Sequence, residues 1–335
     1  MEYRLLGGSG LKVSELCLGA MYFGGASDEE TSFRILDEFA DRGGSFIDTA
    51  KSYTEGRSEA VLGRWLTRRD RDDFVIATKL MGRWTDGPAN TGLSRKNIIA
   101  SVDSSLSRLG TDYIDLYYTH AWDETTPIAE TLSTLNDLVT AGKIRYIGAS
   151  NLAGWQLQKS LDLSDRNGWA RYIALQPLYN LLDREVEWDS VQVCLAEGLG
   201  VMPWSPLRGG WLSGRFKRNA PRPQSSRVQD SSDVPFDMSW EQYNNERTWT
   251  ILDAAEKVAA ETGRSVPQVA IRWLMQQPGV TAPIIGPRTI EQVRSSLDAS
   301  GWSLSDEQLE LLGQASTQVK PYPFNLLEYM APGRN

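Results

Sequence analysis

Apolar residues along the chain fall into two alternating kinds of segment. Short runs rich in β-branched and aromatic side chains occupy 16–19, 45–48, 74–79, 113–120, 144–149, 172–176, 201–204 and 282–285. Between them lie stretches of helical period, such as 29–41 with Phe33, Ile35, Leu36 and Phe39, and 96–109 with Ile98, Ile99, Val102, Leu106 and Leu109. The short runs are nearly continuous in apolar character, as parallel strands are when both faces are buried. Eight strand-helix units of this kind predict an α/β fold, a (β/α)8 TIM barrel. Barrels routinely exceed about 250 residues as one unit, so residues 1–335 are expected to form a single domain.

Two segments fall outside this rhythm. Residues 3–13 surround a glycine-rich turn at Gly7, Gly8 and Gly10, which suggests an N-terminal β-hairpin placed to cap the barrel bottom. Residues 205–245 carry Pro206, Pro221, Pro223 and Pro235 among many Gly, Ser and Arg residues, and read as a long loop after strand seven. A loop of that length in a compact domain is usually functional. Helical segments at 249–262 and 266–277 follow, the second with Pro267 at its start, where a missing N–H costs nothing.

Composition narrows the function classes. Hydrophobic residues make up 41% and charged residues 23%, with a formal net charge of -8, so no basic patch for nucleic acid or an anionic membrane is expected. No apolar run reaches membrane-span length, and the first residues lack a basic stretch followed by an apolar one. A soluble cytoplasmic protein is therefore expected. Cys17 and Cys194 have no CxxC spacing and sit in apolar runs, and with one histidine in the chain no zinc site of the usual kind can form. Neither a metal nor a disulfide is expected.

In a barrel, the residues that end each strand meet at one rim, where active sites of this architecture lie. Here they are Gly19, Asp48, Lys79, His120, Ser150 with Asn151, Gln176, Trp204 and Gly286. A lysine closing an apolar strand needs a partner, and Asp48 on the neighbouring strand is the natural one. Tyr53, five residues beyond Asp48, is within reach of Lys79, whose charge favours the tyrosinate and so suits the phenol to general acid catalysis. His120 on the next strand is placed to hydrogen-bond the same oxygen. Taken singly, each residue has a plainer reading: a cap, a structural ion pair, a surface tyrosine and a structural histidine.

The order of motifs carries more weight. Phe46-Ile47-Asp48-Thr49-Ala50 with Tyr53, Ala77-Thr78-Lys79 and Asp115-Leu116-Tyr117-Tyr118-Thr119-His120 resemble the signatures of the aldo-keto reductases, in which Asp, Tyr, Lys and His form a catalytic tetrad. The resemblance continues through Gly148-Ala149-Ser150-Asn151, Leu175-Gln176-Pro177, Trp204-Ser205-Pro206-Leu207 and Ile284-Ile285-Gly286, nearly the whole chain. It implies hydride transfer between a nicotinamide cofactor and an aldehyde or ketone, or the reverse oxidation of an alcohol or sugar, with Asp48, Tyr53, Lys79 and His120 as the tetrad.

The resemblance also implies where the cofactor lies. Gly19, Ala20, Met21 and Asp48 match its strand-one and strand-two contacts, Ser150, Asn151 and Gln176 the carboxamide contacts, and Trp204 the ring that stacks on the nicotinamide. Ser205, Pro206, Leu207, Gly209 and Arg215 match the loop that wraps the pyrophosphate. Gly286, Arg288 and Gln292 match the adenosine end. An arginine fork suits a 2′-phosphate, so NADP(H) is favoured and NAD(H) is the alternative. Tyr22, Tyr53, Trp84, His120 and Trp122 form the expected wall around a small carbonyl or alcohol substrate.

One rival from another class is a cofactor-sensing partner protein resembling the potassium-channel beta subunits, which the Trp204-Ser205-Pro206-Leu207 segment also resembles. The retained His120 favours an enzyme. A barrel hydrolase would need a metal set or a spaced carboxylate pair at the strand ends, and only Asp48 qualifies. Substrate, reaction direction and oligomeric state are not legible in the sequence.

Overall fold

The computed structural model describes residues 1–80, 87, 90–221 and 239–330. Strands β1 (Tyr3–Leu5) and β2 (Lys12–Ser14) form an antiparallel hairpin, with Tyr3 opposite Ser14. Leu6 and Val13 from this hairpin join the residues filling the barrel. At Gly7, with φ of 57°, a Cβ would come within 2.6 Å of Gly198 O and Gly200 N, so the hairpin lies against the start of the seventh barrel strand. This end is the barrel bottom, as expected for the cap.

The eight parallel strands are β3 (Cys17–Gly19), β4 (Phe46–Asp48), β5 (Val75–Leu80), β6 (Ile114–Thr119), β7 (Ile144–Ser150), β8 (Tyr172–Gln176), β9 (Gly200–Val201) and β10 (Ile284–Ile285). Each pairs with its sequence neighbour and β10 pairs with β3. The remaining seam is closed by Val201 N to Gly279 O at 2.9 Å, Thr281 N to Val201 O at 2.9 Å and Ile284 N to Pro203 O at 2.8 Å. The result is the (β/α)8 barrel expected from the apolar pattern, with helices around it.

Strand side chains alternate between two cores. Cys17, Phe46, Ala77, Leu116, Tyr118, Ala174, Met202 and Ile284 point into the barrel. Their neighbours Leu18, Ile47, Ile76, Tyr117 and Leu175 point outward into the layer beneath the helices. This two-residue period builds the site, because the next inward position on each strand is one layer nearer the C-terminal rim. Counting two forward gives Gly19, Asp48, Lys79, His120, Gln176, Trp204 and Gly286, and Gly148 leads in the same way to Ser150.

Local signals set the helices. Glu29–Asp41 starts at Asp28, whose carboxylate accepts from Thr31 N at 2.8 Å. The helix expected from 249 begins earlier, at Glu246, because Asn245 accepts from Thr248 N at 3.0 Å and caps it there. Val266–Met275 opens on a capping box of Ser265 and Gln268 with Pro267 in its first turn. Within the expected long loop, 208–213 and Trp240–Tyr243 form short helical turns, while 222–238 lies outside the described residues. No helix among the described residues is long and apolar enough to cross a membrane.

Candidate active site

Lys79 is fully buried, and its ammonium spends its three protons on three oxygens. It donates to Asp48 Oδ1 at 2.5 Å, to the Thr49 carbonyl at 2.7 Å and to the Tyr53 hydroxyl at 3.3 Å. Burial opposes the ammonium, but Asp48 and Tyr53 outweigh it and hold the lysine pKa above its ordinary value. Burial raises Asp48, and the Lys79 charge with hydrogen bonds from Lys79 and Gln176 offsets only part of that rise. Gln176 Nε2 donates to Asp48 Oδ2 at 3.0 Å, so both carboxylate oxygens are held.

Tyr53 reaches this pair from the turn beyond β4. Its N–H donates to Ala50 O at 3.0 Å, and the next residues, Thr54 and Glu55, stand at φ of 47° and 59°. Left-handed backbone is costly for side-chain-bearing residues and persists where the surroundings fix it. Here Thr54 Oγ1 donates to Phe23 O at 2.9 Å. The Tyr53 ring lies 4.7 Å from Lys79 Nζ and edge-on to His120, with centroids 6.0 Å apart. Loss of solvent, then the Lys79 charge, pushes the His120 imidazole down to about 3, so it is neutral at ordinary pH.

The expected cofactor residues gather around the same rim. Asn151, with φ of 56°, donates to His120 O and Ser150 Oγ, each at 3.0 Å, and accepts from Trp204 Nε1 at 2.9 Å. Ser150 Oγ donates to Gln176 O at 2.8 Å. At Gly19, which pairs with Asp48, a Cβ would sit 2.9 Å from Ile284 Cγ2. Beyond β9, Ser205, Arg208, Gly209 and Gly210 all have positive φ, and Arg215 lies where a Gly210 Cβ would be, 2.3 Å from its guanidinium. Arg288 N donates to the Gln292 side chain at 2.8 Å.

The aromatic residues divide. Tyr22 lies beneath the Arg288 guanidinium, 5.4 Å from ring to cation, which brings it to the Gly286 end of the rim. Trp122, two residues past His120, packs edge-on to Trp155 at 5.5 Å. Trp155 is 61% exposed and was not singled out from sequence; its place in the first turn after β7 was the available signal. Trp84 lies outside the described residues. Sequence reasoning also missed Asp123, Asp183, Asp189 and Arg208, each of which has at least one partner remote in the chain. Gly154 N, for example, donates to Asp189 Oδ2 at 2.6 Å and fixes the helix that carries Trp155. An ammonium against a phenol, with a neutral imidazole beside them, suits proton delivery to an oxygen at the barrel mouth.

The family model described as the aldo/keto reductase family matches residues 15–316. An uncharacterized oxidoreductase, YrpG, of Bacillus subtilis (strain 168) is 38% identical over 323 residues, covering 93% of this chain and 95% of that protein. Norsolorinic acid reductase B of Aspergillus parasiticus is 34% identical over 344 residues, with 97% and 87% covered. The aryl-alcohol dehydrogenase (NADP(+)) of Phanerodontia chrysosporium is 35% identical over 342 residues, with 96% and 88% covered.

Proposed function

The chain belongs to the aldo/keto reductase family, an oxidoreductase family of carbonyl reduction, and from that membership we propose that it reduces an aldehyde or ketone, or oxidises the matching alcohol, with Tyr53 as general acid/base. The observation that carries this reading is the single ammonium of Lys79 reaching both Asp48 and the Tyr53 hydroxyl. Tyr53 delivers its proton to the substrate oxygen, and the ammonium at 3.3 Å stabilises the phenolate left behind. Asp48 keeps Lys79 charged in its buried position. His120, neutral, donates one N–H to the same oxygen and orients the carbonyl.

The residues present fit a nicotinamide dinucleotide, with NADP(H) favoured over NAD(H). Trp204, fixed by Asn151, offers a flat face at the mouth, and Ser150, Asn151 and Gln176 supply carboxamide partners. The 205–210 loop and Arg215 form a cradle whose glycine leaves room for the guanidinium. Arg288 offers a fork for a 2′-phosphate. When bound, this cofactor supplies the hydride.

Tyr22, Trp84 and Trp122 are the proposed substrate wall with Tyr53 and His120. The relative named for aryl alcohols and NADP(+) supports both an aromatic substrate and the cofactor preference. In this reading residues 1–335 work as one barrel domain in the cytoplasm. Tyr53→Phe tests it: NADPH affinity should stay within about twofold while turnover on a panel of aryl and aliphatic aldehydes falls by about 10²–10⁴. Unchanged turnover would remove Tyr53 from the mechanism. Running the same panel with NADPH and NADH decides the cofactor.

A further inference from the structure

Beneath the 205–210 loop lies a buried polar cluster that the chemistry above does not use. The Arg208 side chain is 3% exposed, and its Nε lies 2.9 Å from Asp183 Oδ2 and donates to the Tyr243 hydroxyl at 2.7 Å. That hydroxyl donates to Asp183 Oδ1 at 2.7 Å, so the carboxylate is engaged on both oxygens. Asn180 Nδ2 donates to Asp183 Oδ2 at 2.9 Å and to the Ser205 carbonyl at 3.1 Å. Three rim segments, beyond β8, beyond β9 and at Trp240–Tyr243, are thereby joined through one arginine.

A buried ion pair contributes little net stability against an apolar replacement, so its use has to be sought in the conformation it specifies. The conformation here is unusual. Ser205 and Arg208 stand at φ of 54° and 43°, followed by Gly209 at 62° and Gly210 at 104°. Non-glycine residues hold left-handed backbone only when neighbours fix them, and here the anchors are Asn180 at Ser205 and Asp183 with Tyr243 at Arg208. Leu207 at φ of -107° and ψ of 10° followed by left-handed Arg208 is the backbone alternation of an anion-binding concavity, and its shape is closed from within by Arg208 N donating to Ser205 O and Gly210 N to Leu207 O, each at 2.9 Å.

We propose that Arg208 is a positioning residue: pinned from below by Asp183 and Tyr243, it holds the 205–210 backbone in the shape that receives the cofactor's diphosphate. This rests on the functional reading above. The Arg208 guanidinium faces the protein interior and acts through the loop, in contrast to Arg215, which follows the loop and sets its guanidinium against Gly210.

The test compares wild type with Arg208→Met, Arg208→Lys and Tyr243→Phe, measuring NADPH affinity by fluorescence titration and the steady-state constants for NADPH and an aryl aldehyde. In Arg208→Met, Kd and KM for NADPH should rise about tenfold or more, while KM for the aldehyde stays unchanged and kcat at saturating NADPH falls less than about threefold. Arg208→Lys, a point charge without the fork, should recover part of the loss. Tyr243→Phe removes one hydroxyl and should weaken NADPH about threefold, which keeps the idea testable if Arg208→Met does not fold. NADPH affinity equal to wild type in the folded variants overturns the proposal and leaves the functional reading intact. A wild-type protein that binds neither NADPH nor NADH overturns both.

Discussion

The indole N–H of Trp204 donates to the amide oxygen of Asn151 at 2.9 Å, and so ties the rim of β9 to that of β7. The same amide donates to the carbonyl of His120 and the hydroxyl of Ser150, which adds the rim of β6. Asn151 does this from left-handed backbone, a conformation that asparagine tolerates better than most residues. One side chain thus sets the spacing between the proposed proton-transfer side of the mouth and the proposed cofactor side.

Asn151 and Trp204 should therefore be energetically coupled. Asn151→Ala is expected to lower unfolding free energy by about 2–3 kcal/mol, from lost hydrogen bonds and added backbone strain, and Trp204→Phe by about 1 kcal/mol. Urea unfolding of both single variants and the double variant should give a coupling energy of about 0.5–1.5 kcal/mol. Strict additivity would mean that the bond contributes nothing in solution.

His120 should be silent in the pH profile of the reaction. Its folded pKa of about 3 lies well below the ordinary histidine value, so it stays neutral through the working range. The unfolded chain takes up the proton first as pH falls, so the stability tied to the neutral imidazole is full above about 6.5 and is lost progressively below it. Wild type should lose a few kcal/mol of unfolding free energy between about pH 7 and pH 4 that His120→Gln does not lose, to the extent of roughly 1.4 kcal/mol per unit traversed. An inflection in kcat/KM near pH 6.5 that disappears in His120→Gln would contradict the assignment.

Lys79→Met is expected to cost more stability than its chemistry alone suggests. It strands Asp48 in the barrel interior, where breaking a buried pair typically costs about 3–5 kcal/mol. Asp48→Leu combined with Lys79→Met should recover much of that loss while remaining inactive. Thermal unfolding separates the two effects, and a double variant no more stable than Lys79→Met would show that the carboxylate is not the source of the penalty.

Why the rim positions of Asp48, Lys79 and His120 were legible, and the cluster around Arg208 was not, follows from how each is encoded. Strands buried on both faces read as apolar runs, and the polar residue that interrupts each run two positions after its last inward residue marks the rim. Phe46 then Asp48, Ala77 then Lys79, and Tyr118 then His120 are local patterns. Gln176 meets Asp48 across 128 residues, and Arg208 meets Asp183 and Tyr243 across 25 and 35. Nothing in the local sequence of either partner announces the other. The depressed histidine pKa was equally hidden, since it arises from burial and from Lys79 on the adjacent strand. Helix starts were readable to within a few residues, with the cap at Asn245 accounting for the largest shift.

Asp123 should govern how the rim beyond β6 behaves in acid. Its carboxylate accepts from Leu93 N at 2.7 Å, from Thr125 N at 2.9 Å and from the hydroxyls of Thr125 and Thr126 at 2.7 and 2.6 Å. Burial opposes the charge, but these hydrogen bonds outweigh it and hold the carboxyl at about 2. Because the folded pKa lies below the unfolded one, the stabilisation is fully present above about pH 4 and disappears as pH falls toward 2. Discounted for solvent screening, it amounts to roughly 1 kcal/mol. Asp123→Asn should be less stable than wild type by about that amount or somewhat more at pH 7, since an amide cannot accept all four bonds and brings donors of its own. The two proteins should converge as pH approaches 2. Asp123, next to Trp122 in the chain, also ties Leu93 N to this rim, so the same variant should raise KM for an aryl aldehyde without altering NADPH affinity. A stability gap that persists undiminished at low pH would assign the effect to packing instead of charge.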